Sequence, residues 1–262
     1  MSYICHSACA CSIGNTRLKN EDNFYFDGKY LKQRHIDLKR VITSQSCTDH
    51  LSIFAVFDGV GGAALGEVAS FVAARQLKKL PYTFIDQLMP LQKYIRMSIT
   101  QMNSAVLDAK KQHMAGQMGT TMAGIYLLRQ HVYFCNLGDS RIYRLRNMHL
   151  QQVSVDHAES GNEHANHKRA ITQHLGIDTQ ERILEAHIAK SRICPNDLYL
   201  LCSDGLSDML NQNEIQEILL RSTNVKSCVQ ELLSTALAHG GHDNITAIVC
   251  RISNTYHTDD IL

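Results

Sequence analysis

The chain has 262 residues, with 26 Lys+Arg against 25 Asp+Glu and a formal net charge of +1. Charged residues make up 19% and hydrophobic residues 44%, which excludes a disordered or membrane-embedded chain by composition; the near-cancelled charge lacks the basic excess of a nucleic-acid binder. No apolar run approaches the ~18 residues of a spanning helix, and Met1–Cys5 lacks a basic n-region, so neither a membrane span nor a secretory leader is expected.

In chain order, Tyr3–Ile13 and Asn23–Phe26 read as strands, and residues 27–50 as a polar loop. Leu51–Phe57 is a short apolar run with aromatic and β-branched members, read as a buried strand. Gly59, Gly61, Gly62 and Gly66 break that pattern, and an amphipathic helix follows to about Lys79. A second helix is predicted from Phe84 to Gln112, because Leu88, Leu91, Ile95, Ile99, Met102 and Val106 recur at helical spacing. Three strands follow at Thr120–Leu128, Val132–Leu137 and Arg141–Arg146, with Asn147-Met148 in the next turn. Residues 156–180 are polar and irregular, long enough to suggest a functional loop. Ile183–Ile193 and Leu198–Cys202 read as strands, Asn213–Arg221 and Val225–His239 as helices, and Ile245–Ile252 as a closing strand.

Strand runs and helix pairs are segregated rather than alternating, which predicts an α+β architecture of antiparallel sheets with helical hairpins outside. Three prolines and no low-complexity linker favour one domain over residues 1–262. The nine cysteines are odd in number and contain no C-x-x-C pair, so buried reduced thiols in a cytoplasmic protein are expected rather than a disulfide framework. Cys5, Cys9 and Cys11 alternate as one strand face does, which explains their spacing without a zinc site that includes His6.

The acids carry the chemical information. Asp58 follows the apolar strand SIFAVF, Asp204 follows LYLLCS, and a glycine follows each. Asp243 opens the last strand after Gly240-Gly241, Glu21-Asp22 open the second, and Asp139 follows Gly138 at a strand end. A carboxylate at the end of a buried strand is costly unless paired or bound to a metal. Asp-Gly is also a common turn pair. The recurrence points to oxygen ligands for hard cations such as Mg²⁺ or Mn²⁺.

At these residues the chain resembles the PP2C-like, metal-dependent protein Ser/Thr phosphatases (the PPM family). The motifs run in family order: Gly14 to Asn23 for G-x-x-R-x-x-N-E-D-N, Asp58 to Gly62 for D-G-x-G-G, and Gly119-Thr120-Thr121 for G-T-T. Asn136 to Arg141 resembles N-x-G-D-S-R, Ser154 to His157 resembles [ST]-x-D-H, and Ile171-Thr172 with Gly176 resembles I-T-x-x-x-G. Ser203 to Asp208 resembles S-D-G-L-[ST]-D, and Asp243 to Thr246 resembles D-N-[IV]-T.

The resemblance implies a four-layer α-β-β-α sandwich and hydrolysis of phosphoserine or phosphothreonine by a hydroxide bridging two Mn²⁺ or Mg²⁺ ions. It assigns Asp58 to both metals, Asp204 and Asp243 to one site, and Glu21 and the Gly59 carbonyl to the other. Asp22 is bonded to metal water, Asp139 with Asp204 serves a weaker third metal, and Arg17 binds the substrate phosphate. Phosphorylated proteins are the implied substrates and a cognate Ser/Thr kinase the implied partner, with the enzyme acting as a monomer apart from nucleic acid and membranes. A non-catalytic regulatory domain and a phosphatase for one regulatory protein are the alternatives.

Two departures and one false trail stand out. Val60 occupies the position of a histidine proposed as general acid in eukaryotic members, and valine has no proton to give. Asp156–Ile171 is shorter than the usual flap and holds His157, His164 and His167, with His174 just beyond; a solvated loop, a metal site and a shortened flap are the readings of this stretch. Cys135 and Arg141 fit C-x5-R of cysteine-based phosphatases, but Cys135 alternates within an apolar strand and is read as core.

Overall fold

The computed structural model describes residues 2–38, 40–60, 65–80, 89–159 and 170–255. Its strands are β1 (Tyr3–Ser12), β2 (Asn23–Phe26), β3 (Ile42–Cys47), β4 (Ser52–Phe57), β5 (Gly59–Val60), β6 (Gly119–Thr120), β7 (Met122–Leu128), β8 (His131–Leu137), β9 (Arg141–Arg146), β10 (His149–Gln152), β11 (His187–Arg192), β12 (Leu198–Cys202) and β13 (Ile245–Asn254). The described helices are α1 (Gly66–Lys79), α2 (Leu91–Gln112), α3 (Asp204–Ser207), α4 (Gln212–Arg221) and α5 (Val225–Ala238). One sheet runs β10-β9-β12-β13-β1-β3 and the other β11-β8-β7-β4-β2, with β5-β6 as a separate ribbon. All of these pairings are antiparallel.

Period-two alternation builds three apolar layers from these strands. Between the sheets lie Cys5, Cys9 and Cys11 of β1, Phe54 and Val56 of β4, and Tyr199 and Leu201 of β12. The intervening residues face outward: Ile53, Ala55 and Phe57 pack under α1 and α2, and Leu198, Leu200 and Cys202 pack under α4 and α5. The result is the expected α-β-β-α stack. Phe54 is fully buried in the middle layer, where truncation to alanine costs about 3–5 kcal/mol. Asn211 opens α4 with a reciprocal capping box to Glu214, and Asn224 caps α5 through Ser227 N.

Several expected elements change on folding. β3 runs through the expected loop as an edge strand on β1, where half-burial lets its sequence stay polar. β10 and the single turn α3 were not anticipated. The strand expected at Ile183–Ile193 is only β11, and Ile183 is exposed. α2 starts after Pro90, and residues 84–88 of the expected helix lie outside the described residues, as do Gly61, Gly62, His164 and His167. Asn147 and Met148 turn with φ of 51° and 62° between β9 and β10. All nine cysteines are free thiols, seven of them buried.

Candidate active site

The strand register brings the acids to one rim of the sandwich. In the first sheet Ser12 pairs with Ile245, Cys202 with Ala247, and Cys202 with Arg141. In the second, Asn23 pairs with Phe57, Ala123 with Val56, and Met122 with Leu137. The segments leaving these ends carry Glu21-Asp22, Asp58, Asp139, Asp204 and Asp243.

Asp22 is fully buried, and Ser203 Oγ donates to its Oδ2 at 2.8 Å. Its Oδ1 has no hydrogen-bond partner among the described residues. Burial first, with the charges of Asp204 and Asp243 adding, pushes its carboxyl up to about 7 against the pull of hydrogen bonds from Thr246 and Ser203. Ser203 stands at the N-cap of α3 yet makes no side-chain cap. Its hydroxyl instead joins Asp22 to β13 by accepting from Thr246 N at 2.9 Å. Asn20 braces the same corner: its Oδ1 accepts from Asp22 N at 3.1 Å, and its Nδ2 donates to Ile36 O at 2.6 Å.

Glu21 occupies a more open position. Its carboxyl is also raised, by burial first and then by the charge of Glu67. A Cβ on Gly66 would stand 2.9 Å from the Gly59 carbonyl oxygen and 3.0 Å from Glu21 Oε2, so glycine lets both oxygens approach the start of α1. Leu65, at the N-cap of α1, holds φ at 108°, a costly backbone that seats Gly66 there. Glu67 Oε2 is buried without a hydrogen-bond partner among the described residues, and its Oε1 lies 3.8 Å from Lys19 Nζ.

Asp58 is fixed through its backbone: its carbonyl accepts from Thr121 N and Thr120 Oγ1, each at 2.8 Å, and its N–H donates to Thr121 Oγ1 at 3.0 Å. Asp139 joins this wall one step out, since its neighbour Ser140 bonds Thr121 Oγ1 at 2.7 Å. Asn244 locks the opposite side. Its Oδ1 accepts from Glu21 N at 2.8 Å, and its Nδ2 donates to Ile13 O and Lys19 O, both at 2.9 Å. Arg17 reaches in from an exposed loop and donates to Asp243 Oδ2 at 2.7 Å. That bond, with Glu21 and Asp58 adding, raises the pKa of a guanidinium already always charged.

Among the described residues no three His, Cys, Asp or Glu side chains gather tightly enough to hold an ion as they stand. The donor set still suits hard cations. It offers carboxylates and a backbone carbonyl, the carboxyls of Glu21 and Asp22 are raised by burial and by neighbouring acids, and Asp22 has one buried oxygen with no donor. Divalent charge would relieve each of those strains.

The base of the segment at 156–180 abuts the rim. Gly138 N donates to His157 Nδ1 at 3.2 Å, and Ala158 bridges Ile171. His157 and His174 are half-buried, with pKa values lowered first by burial, so these two brace the segment rather than bathe in solvent. Arg141 pairs with Asp156 at 2.7 Å. Cys135 is buried with its thiol pushed up to about 12, which fits core and no nucleophile. The roles of Glu67, Ser203 and Asn244 were not foreseen. Ser203 and Asn244 flank predicted acids in the motifs, which was the available signal, whereas Glu67 reads as an ordinary first-turn helix acid.

Comparison with known proteins gives this geometry relatives. The family described as protein phosphatase 2C matches residues 43–248. The serine/threonine phosphatase stp of Listeria monocytogenes is 31% identical over 216 residues, covering 77% of this chain and 84% of that protein. Among solved structures, PppA of Pseudomonas aeruginosa, described as a key regulatory component of T6SS, superposes with a TM-score of 0.76 at 26% identity, over 96% of this chain and 100% of that one. The catalytic domain of the serine/threonine protein phosphatase PstP in complex with 2 manganese ions gives 0.75 at 25% identity, over 97% and 100%. The chain belongs to the protein phosphatase 2C family.

Proposed function

We propose that this chain is a metal-dependent protein phosphatase that hydrolyses phosphoserine and phosphothreonine at the acidic rim. The observation that carries this reading is the convergence of Glu21, Asp22, Asp58, Asp204 and Asp243 from separate segments, with Arg17 bonded at their edge. Two divalent cations, Mn²⁺ or Mg²⁺, bound there supply a water acidic enough to be a nucleophile near neutral pH.

The chain's own groups do the rest. Asp58, Asp204 and Asp243, with Glu21 and the Gly59 carbonyl, hold the cations, and Asp139 with Asp204 offers a weaker third position. Asp22 accepts a proton or hydrogen bond from ordered water beside them; its raised carboxyl and its donor-free Oδ1 support that role. Arg17, half-exposed and planar, grips phosphate oxygens in bidentate fashion and offsets charge as it develops on them. Val60 has no proton to give, so the leaving oxygen takes its proton elsewhere.

The same reading has one catalytic domain acting as a monomer in the cytoplasm, opposite a cognate Ser/Thr kinase. No described helix is long and apolar enough to cross a membrane. The test is phosphate release from p-nitrophenyl phosphate and from a phosphothreonine peptide. Release that requires Mn²⁺ or Mg²⁺ is expected, and its absence in folded protein refutes the reading.

A further inference from the structure

A concavity of about 530 Å³ lies beside the acidic rim. Leu18, Lys19, Arg34, His35, Ile36 and Glu67 line it. It is continuous with the site: Leu18 and Lys19 follow Arg17 directly, and Glu67 is the charge that presses on Glu21. Its far wall is the segment between β2 and β3, upstream of the residues matched by the family. That wall is anchored. Asn20 Nδ2 bonds Ile36 O, Ile13 N donates to Asp37 Oδ1 at 2.7 Å, and His35 Nδ1 lies 2.8 Å from Lys32 O.

The lining has two unsatisfied tendencies. Leu18 is 96% exposed and Ile36 65% exposed, so two large apolar side chains are held out on fixed backbone. One exposed leucine needs no explanation, but two on a single groove beside a reactive site do. The charge is one-sided as well. Lys19 and Arg34 are exposed cations, whereas the one acid of the lining, Glu67, is mostly covered and 3.8 Å from Lys19.

We infer that this groove binds the polypeptide flanking the phosphorylated residue and selects an apolar side chain together with an acidic one. The inference rests on the phosphatase reading. A phosphate held at Arg17 delivers its own chain to Leu18, and at ~3.3 Å per extended residue the groove spans a few neighbours. An apolar neighbour covers Leu18 and Ile36, and an acidic one meets Arg34 and Lys19. A free phosphate metabolite has no such flanks.

The test uses phosphothreonine peptides flanked on both sides by Leu-Asp or by Ser-Lys, with p-nitrophenyl phosphate as a substrate without flanks. Wild type is expected to favour the Leu-Asp peptide in kcat/KM by about tenfold, through KM. R34E/I36S is expected to erase that preference while p-nitrophenyl phosphate turnover moves less than about twofold. A preference that survives the double substitution overturns the inference. So does an equal loss on both kinds of substrate, or a change of oligomeric state by light scattering with peptide preference intact, which would mark a self-association face. Absent turnover of p-nitrophenyl phosphate by wild type sinks the phosphatase reading instead. Fluorescence anisotropy of the two labelled peptides, with and without R34E/I36S, then decides the groove on binding alone.

Discussion

The two halves of the acidic rim are built differently. Around Asp22 everything is buried: Ser203, Asn20 and Thr246 come from separate segments and hold one another in a closed network. Around Glu21 the parts are looser. Arg17 and Lys19 are exposed, Glu67 reaches Lys19 only at 3.8 Å, and the floor is a glycine contact. The buried half fixes geometry in a low-dielectric setting, where a misplaced polar atom is costly. The open half keeps cationic side chains able to change partner when a substrate arrives.

Substitutions can break that contrast. The largest effect is expected from Asp204→Asn or Asp58→Asn, which should lower Mn²⁺-dependent kcat/KM by more than about 100-fold, the scale of losing even an outer-shell partner. Calorimetry should show weaker Mn²⁺ binding alongside. Arg17→Lys keeps the charge and loses the planar fork. It should cost roughly 10–100-fold in kcat/KM with metal affinity nearly unchanged; a matching loss of metal affinity would place Arg17 in the wrong half. Ser203→Ala removes a donor that lowers the Asp22 pKa. The carboxyl should move further up, and Mn²⁺ affinity at neutral pH should fall about tenfold. Glu67→Gln should weaken Mn²⁺ binding only about two- to fivefold, because the one charge lost is no proposed metal ligand and is partly offset by Lys19.

The buried half also leaves a signature in stability. The Asp22 carboxyl, at about 7 in the folded chain, stands above the ~3.9 of an unfolded one. Between those values the folded chain binds more protons, so stability falls as pH rises from ~4 to ~7 and levels off above. Melting in chelator from pH 4 to 8 should trace that decline, and Asp22→Asn should flatten it. Added Mn²⁺ competes with the proton and should stabilise most at the upper end.

Much of the layout is legible from residue order. β2 and β12 fall where alternation and apolar runs place them, because buried strands have little freedom in composition. β3 hides, because an edge strand with one wet face can read ITSQSC. The acids are legible as strand-end residues, but their meeting is a property of register, as in Ser12 opposite Ile245 and Asn23 opposite Phe57. Glu67 and the groove at Arg34 and Ile36 are not legible, since an exposed loop and a first-turn helix acid look ordinary until another segment lies against them.

The pairing of β1 with β13, from Tyr3 opposite Asn254 to Ser12 opposite Ile245, has a consequence for how the protein comes into being. The edge of β1 that faces β13 stays unpaired until the strand that follows Asn244 has been made, while β3 covers the other edge. Contacts of such long sequence separation form slowly. At ~5–20 residues per second the nascent chain spends roughly 10–50 s with that edge of β1 unpaired. The acidic rim, which needs Asp243 and Asn244 at that junction, is therefore among the last parts of the molecule to exist.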